Sequence, residues 1–132
     1  MTNTNEHNVK RIREFCELVQ QNRRIDLYDE YIRQDFQDHA LTGETIDRKA
    51  SRKFLEHLHA AVDRLEVEVL HCVASGDIVA THKIIRGHLR ASLMGMSAGD
   101  TLNLRVMDFM RLEDGQVIEH WATHGALKAA DS

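Results

Sequence analysis

The hydrophobic rhythm of the chain changes once, near residue 62, from a helical period to a strand period. Before the change, Ile12, Phe15, Cys16 and Val19 fall at i, i+3, i+4 and i+7, one face of an amphipathic helix over about residues 5–22. Asp26 stands where it can cap a short second helix carrying Leu27, Tyr28, Tyr31 and Ile32. Residues 37–44, with Asp38 and His39, read as a loop. Thr45 then caps a third helix, with Ala50, Phe54, Leu58, Ala61 and Val62 on one stripe.

After the change, Leu65, Val67 and Val69 alternate with Glu66 and Glu68, the mark of a half-buried strand. Ser75, Gly76 and Asp77 turn the chain into a second long strand over residues 78–91. Residues 94–100, with two glycines, form the next loop. Residues 102–112 and 117–127 pair around Asp114-Gly115, a dipeptide suited to the type I′ turn, which needs φ > 0 at both central positions. Three helices followed by four long strands make an α+β chain with one mostly antiparallel sheet. Such a sheet must curl over the helices to cover its apolar face. At 132 residues the chain has the size of a single domain, residues 1–132.

The strand faces point to the chemistry. Residues 102, 104, 106, 108, 110 and 112 share a face, and Asp108 is its single polar member among Leu, Leu, Val, Met and Leu. A lone buried carboxylate has its pKa raised and can serve as a general acid or base. The structural reading is an Asp108 bonded to a backbone amide or to Arg86 or Arg105. An Asp108 beside a histidine favours catalysis, and one paired to an arginine favours structure. His120 and Trp121 point to opposite faces unless a bulge intervenes, so the sequence leaves open which meets a cavity. His82 shares a face with Ala80 and Ile84 and is expected to point inward. Tyr31, like Tyr28, Phe36 and Phe54, is a core aromatic that can also wall an apolar pocket.

Composition narrows the classes. A net charge of −4 disfavours nucleic acid or an anionic membrane as partner. No apolar run approaches the roughly 20 residues of a membrane span. The polar first ten residues lack the apolar core of a secretory signal. Cys16 and Cys72 read as reduced, buried thiols of a cytoplasmic protein. Nine histidines raise a metal site, and their spacing lowers it again. His57 and His59 do not face each other on a helix. His120 and His124 lie roughly 13 Å apart at about 3.3 Å per strand residue. No metal and no cofactor are expected.

Asp108, Arg111, Asp114-Gly115 and Glu119-His120-Trp121 together resemble the closing hairpin of the SnoaL-like polyketide cyclases, a branch of the nuclear-transport-factor-2-like superfamily. Tyr31, Phe36-Gln37-Asp38-His39 and Gly43 resemble the same family's Tyr…Phe-x-x-His…Gly stretch, so the likeness runs nearly the whole chain. The resemblance implies a cone-like curved sheet around a cavity, with the Asp108 strand lining it and His39 near its rim. It also implies a homodimer through the sheet, to which the outward Met107 and Phe109 would contribute. One departure stands out. The family's catalytic members carry an aspartate at or soon after the position following Glu-His-Trp, and here Ala122, Thr123, His124 and Gly125 follow.

The expected site therefore has Asp108 and His120 as catalytic groups, with His124 a further candidate for proton transfer. His39, His82, Trp121, His124 and Tyr31 are the expected ligand contacts. The expected ligand is a small apolar, carbonyl-bearing molecule, and the expected reaction is cofactor-free proton transfer, as in aldol cyclisation or isomerisation. The alternative is a non-catalytic ligand-binding or dimerisation module of the same fold.

Overall fold

A computed structural model describes residues 4–127 of the chain. Helix α1, Thr4–Glu14, runs into a π-helical stretch, Phe15–Gln21. Ile12, Phe15, Cys16 and Val19 are all buried, so the apolar stripe crosses the change of helix type unbroken. In the π-helical register residues five apart share a face, and Phe15 and Gln20 both reach the central cavity. A 3-10 turn, Ile25–Leu27, leads into the one-turn helix α2, Tyr28–Tyr31. Asp26 does not cap it and instead binds Arg24 at 3.0 Å.

The sheet is larger than the pattern suggested. Strand β1, Ile32–His39, occupies most of the expected loop, and β2, Thr45–Asp47, follows it. Thr45 therefore lies in a strand, and the cap of helix α3, Arg48–Ala61, is Asp47, whose carboxylate accepts from the Ala50 amide at 2.9 Å. Leu55, Leu58 and Ala61 form the buried stripe of α3, while Phe54 is half exposed at the cavity. Strands β3, Val62–Ser75, β4, Ile78–Leu89, β5, Thr101–Glu113, and β6, Gln116–Ala126, complete a six-stranded sheet in the order β2-β1-β6-β5-β4-β3. Every pairing is antiparallel except β1 with β6. Three helices packed on this curved sheet enclose the core.

Two backbone features position the site. At the β5–β6 turn Asp114 has φ 51° and Gly115 φ 78°, as a type I′ turn requires. Beyond it, Arg111 pairs with Glu119 but Leu112 pairs with Val117, so Ile118 is the extra residue of a bulge. That bulge reverses the parity of β6. Val117 is buried on the inner face, and past the bulge His120, Ala122 and His124 take that face.

Candidate active site

A cavity of about 610 Å³ lies between the inner sheet face and α3, the π-helical stretch and α2. Its walls are largely apolar, with Ile32, Phe36, Leu55, Leu58, Val106 and Met110 among them. Its polar groups gather on one wall. Asp108 projects from β5 and is 3% exposed. On β4, which pairs with β5, Thr81 stands opposite Asp108, and Lys83 follows two residues on along the same inner face. On β6 His120 comes from the other side, and β1 places Asp38 directly across from His120.

These four strands build one continuous chain of contacts. Asp38 Oδ1 lies 2.9 Å from His120 Nδ1, and His120 Nε2 lies 3.1 Å from Asp108 Oδ2. Lys83 Nζ sits 3.3 Å from the same Asp108 oxygen, and the Thr81 hydroxyl donates to Asp108 Oδ1. Lys83 is itself anchored from the π-helical stretch, donating to Gln20 Oε1 at 3.2 Å and lying 3.8 Å from Cys16 Sγ. The Ser51 hydroxyl of α3 donates to Asp38 Oδ2 at 3.4 Å. Two carboxylates thus face two cationic groups, which is how a buried ionic cluster is tolerated.

The charge states follow from this geometry. Burial alone would raise the Asp108 pKa, but the Lys83 ammonium, His120 and the Thr81 hydroxyl outweigh it and hold the carboxyl well below the usual range. The expected raised Asp108 is therefore corrected: its neighbours along β5 are apolar, but its neighbours across the sheet are not. Neither Arg86 nor Arg105 is its partner. Arg86 binds Glu66 and Glu68, and Arg105 stands on the outer face opposite Ile84. The cation is Lys83. Burial depresses His120, and its bonds to Asp108 and Asp38 more than reverse this, raising it to about 9. At neutral pH His120 is an imidazolium that donates from both ring nitrogens. Burial lowers Lys83, and Asp108 with Cys16 lifts it above the ordinary lysine value.

The other expected site residues divide between the two faces. His124 and His39 line the cavity. His39 also binds Glu119 Oε2 at 2.9 Å and stacks on Trp121 with ring centroids 5.1 Å apart. Trp121 does not line the cavity: it stands opposite Phe109 on the outer face. His82 is also on that face, its Nδ1 3.1 Å from His71 Nδ1. Ala80, His82 and Ile84 do share a face, but the inner residues of β4 are Val79, Thr81, Lys83 and Ile85. Tyr31 is buried against Phe15 and covered by Arg11, outside the cavity lining. Among the described residues no three His, Cys, Asp or Glu side chains gather as metal ligands.

The residues absent from the expected set are Asp38, Lys83, Gln20, Thr81 and Ser51. Asp38 sits beside His39 in a segment whose polar composition gives no strand pattern, although it forms β1. Lys83 carried a signal in the alternating positions 79, 81, 83, 85 and 89, which hold Val, Thr, Lys, Ile and Leu.

A curved sheet with an inner polar wall is a fold shared by proteins of several activities. The sequence profile of the SnoaL-like polyketide cyclases matches residues 10–129. The chain belongs to this family. Among curated proteins none matches it. Among solved structures, IdmH of Streptomyces antibioticus, a proposed polyketide cyclase, is 22% identical with a TM-score of 0.77, over 89% of this chain and 91% of that one. A proposed SnoaL-like polyketide cyclase of Jannaschia sp. CCS1 is 20% identical with a TM-score of 0.79, over 94% and 89%. An LEH-like epoxide hydrolase of M. tuberculosis is 15% identical with a TM-score of 0.70, over 89% and 82%. These likenesses are of fold, within the nuclear-transport-factor-2-like superfamily.

Proposed function

We propose that this SnoaL-like protein binds a small apolar, carbonyl-bearing molecule in its cavity and moves a proton on it without a cofactor. The observation that carries the reading is the Asp38–His120–Asp108 chain on the wall of an otherwise apolar cavity. Family membership supports a cyclase- or isomerase-type role in general terms. The base is Asp38. Its side chain is 27% exposed, whereas Asp108 is 3% exposed and ion-paired to Lys83. Asp38 takes a proton from the carbon next to the carbonyl, and the C–H electron pair becomes the enolate. The enolate carbon then attacks a second carbonyl carbon, whose oxygen takes the proton back, or, where a carbon–carbon double bond is conjugated with the enolate, the resulting dienolate takes the proton back at its far carbon and the double bond moves. The first outcome is an aldol cyclisation and the second an isomerisation. His120, kept protonated by Asp108, orients Asp38 and neutralises it between turnovers.

The non-catalytic reading has one observation in its favour. Positions 122–125 hold no carboxylate, although Ala122 and His124 line the cavity. Hydrogen–deuterium exchange separates the two readings. Wild-type protein is expected to speed exchange of the methyl-ketone protons of 2-acetylnaphthalene in D2O, and Asp38→Asn to lose that acceleration. Binding without any exchange above buffer would leave only the ligand-binding module. A cytoplasmic location belongs to the same proposal. Cys16 and Cys72 are free thiols, and no described helix is long and apolar enough to cross a membrane.

A further inference from the structure

Tyr28 is the aromatic of α2 that reaches the cavity, and the charge chain does not use it. Its ring is fixed from several sides. Phe15 packs at 6.3 Å between centroids, and the Arg48 and Arg52 guanidinium groups lie 5.1 and 5.4 Å from the ring centroid. The residue is 3% exposed, and among the described residues its hydroxyl has no hydrogen-bond partner. A buried tyrosine hydroxyl ordinarily has one, because leaving it unpaired costs free energy. The hydroxyl is nevertheless not sealed in. The fully enclosed unpartnered polar atoms of the described residues are His82 Nε2 and Asn103 Oδ1, so the small surface Tyr28 retains includes its oxygen. Tyr28 is itself one of the residues that line the cavity.

We propose that Tyr28 is a ligand-contacting hydrogen-bond donor that holds the carbonyl oxygen of the bound molecule while Asp38 faces the neighbouring carbon. The inference rests on reading the cavity as a site for a carbonyl-bearing ligand, and it assigns the anchor that this reading lacks. Every N–H of His120 and the Lys83 ammonium is already directed at a protein partner, so neither is free to meet the carbonyl. Burial pushes the Tyr28 phenol up to about 12, with Asp38 among the charges that act on it, so it stays a donor at neutral pH. As the proton leaves carbon, negative charge grows on the carbonyl oxygen, and a fixed donor there strengthens its bond without reorganising. Phenylalanine keeps the ring, its packing and both guanidinium contacts, and removes the hydroxyl alone.

The test uses two probes of matched shape, 2-acetylnaphthalene and 2-ethylnaphthalene. The wild type is expected to bind the ketone roughly 5- to 10-fold more tightly, the ordinary worth of one neutral hydrogen bond. Tyr28→Phe is expected to abolish that preference while leaving the affinity for 2-ethylnaphthalene unchanged. A ketone preference that survives in Tyr28→Phe overturns the proposal. The infrared carbonyl band of bound 2-acetylnaphthalene gives a check that needs no variant. A shift to lower frequency on binding to the wild type is expected, and an unshifted band overturns the assignment. Failure of both probes to bind overturns the cavity reading and this inference with it, whereas equal binding of the two probes to the wild type overturns Tyr28 alone.

Discussion

Lys83 and Asp108 are each about 97% hidden and depend on each other, because an ion stripped of water must find its charge within the fold. Lys83→Met leaves the Asp108 carboxylate buried beside one cation instead of two. The expected cost is about 3–5 kcal/mol of stability, the range for breaking a buried pair from one side, read from chemical denaturation. Pairing Lys83→Met with Asp108→Leu removes both charges and is expected to recover part of that loss. His120 sets a pH dependence of definite sign. It binds its proton more tightly when folded, at about 9, than at its ordinary value of 6.5. Its contribution is therefore complete below the ordinary value and falls away as pH rises through about 9. The melting temperature is expected to decline across that window, and His120→Gln to flatten the decline. Asp108 acts in the opposite direction. Its depressed value gives stability above the usual carboxylate range that is lost as the medium becomes acid. The sequence displayed Asp108 as one polar residue on an apolar face, but not its charge state. That state is set by Lys83 and His120, which reach it from neighbouring strands.

Among the elements, those with a strong local pattern were legible and those held by distant partners were not. The first helix showed in Ile12, Phe15, Cys16 and Val19, and the β5–β6 turn showed in Asp114-Gly115. Strand β1 has no legible pattern because its eight residues, from Ile32 to His39, include only two large apolar side chains. It is a strand because β6, far downstream, pairs with it in parallel. The inner face of β4 is not decided by its pattern, because both of its alternating sets contain aliphatic residues. The bulge at Ile118 has no local signature, yet it decides that His120 and not Trp121 meets the cavity. Gly87 gives an element-scale test. A Cβ there would lie 2.3 Å from Val62 Cγ1 and 2.9 Å from the Asp63 carbonyl oxygen, where β4 crosses the irregular start of β3. Gly87→Ala is expected to cost about 1–3 kcal/mol through overpacking, visible as a lower melting temperature.

For the whole molecule, the outer sheet face calls for a partner. Val73, Phe109 and Met107 are 63%, 54% and 45% exposed, and the register sets Val73, Ala80, Phe109 and Trp121 in one row across β3, β4, β5 and β6. Neighbouring exposed apolar side chains of this kind commonly mark a surface that a partner covers. We propose that a second copy of the chain covers it. Sedimentation at micromolar concentration is expected to give a dimer for the wild type and a monomer for Phe109→Glu, and a monomeric wild type would contradict the proposal. The inner face is where the function rests, and its central claim is a His120 imidazolium held between Asp38 and Asp108. Nitrogen-15 NMR of the histidine rings tests this most directly. At pH 7 both His120 ring nitrogens are expected to carry protons, with titration near 9. A His120 with one bare ring nitrogen at pH 7 would contradict the charge chain and the role given to it.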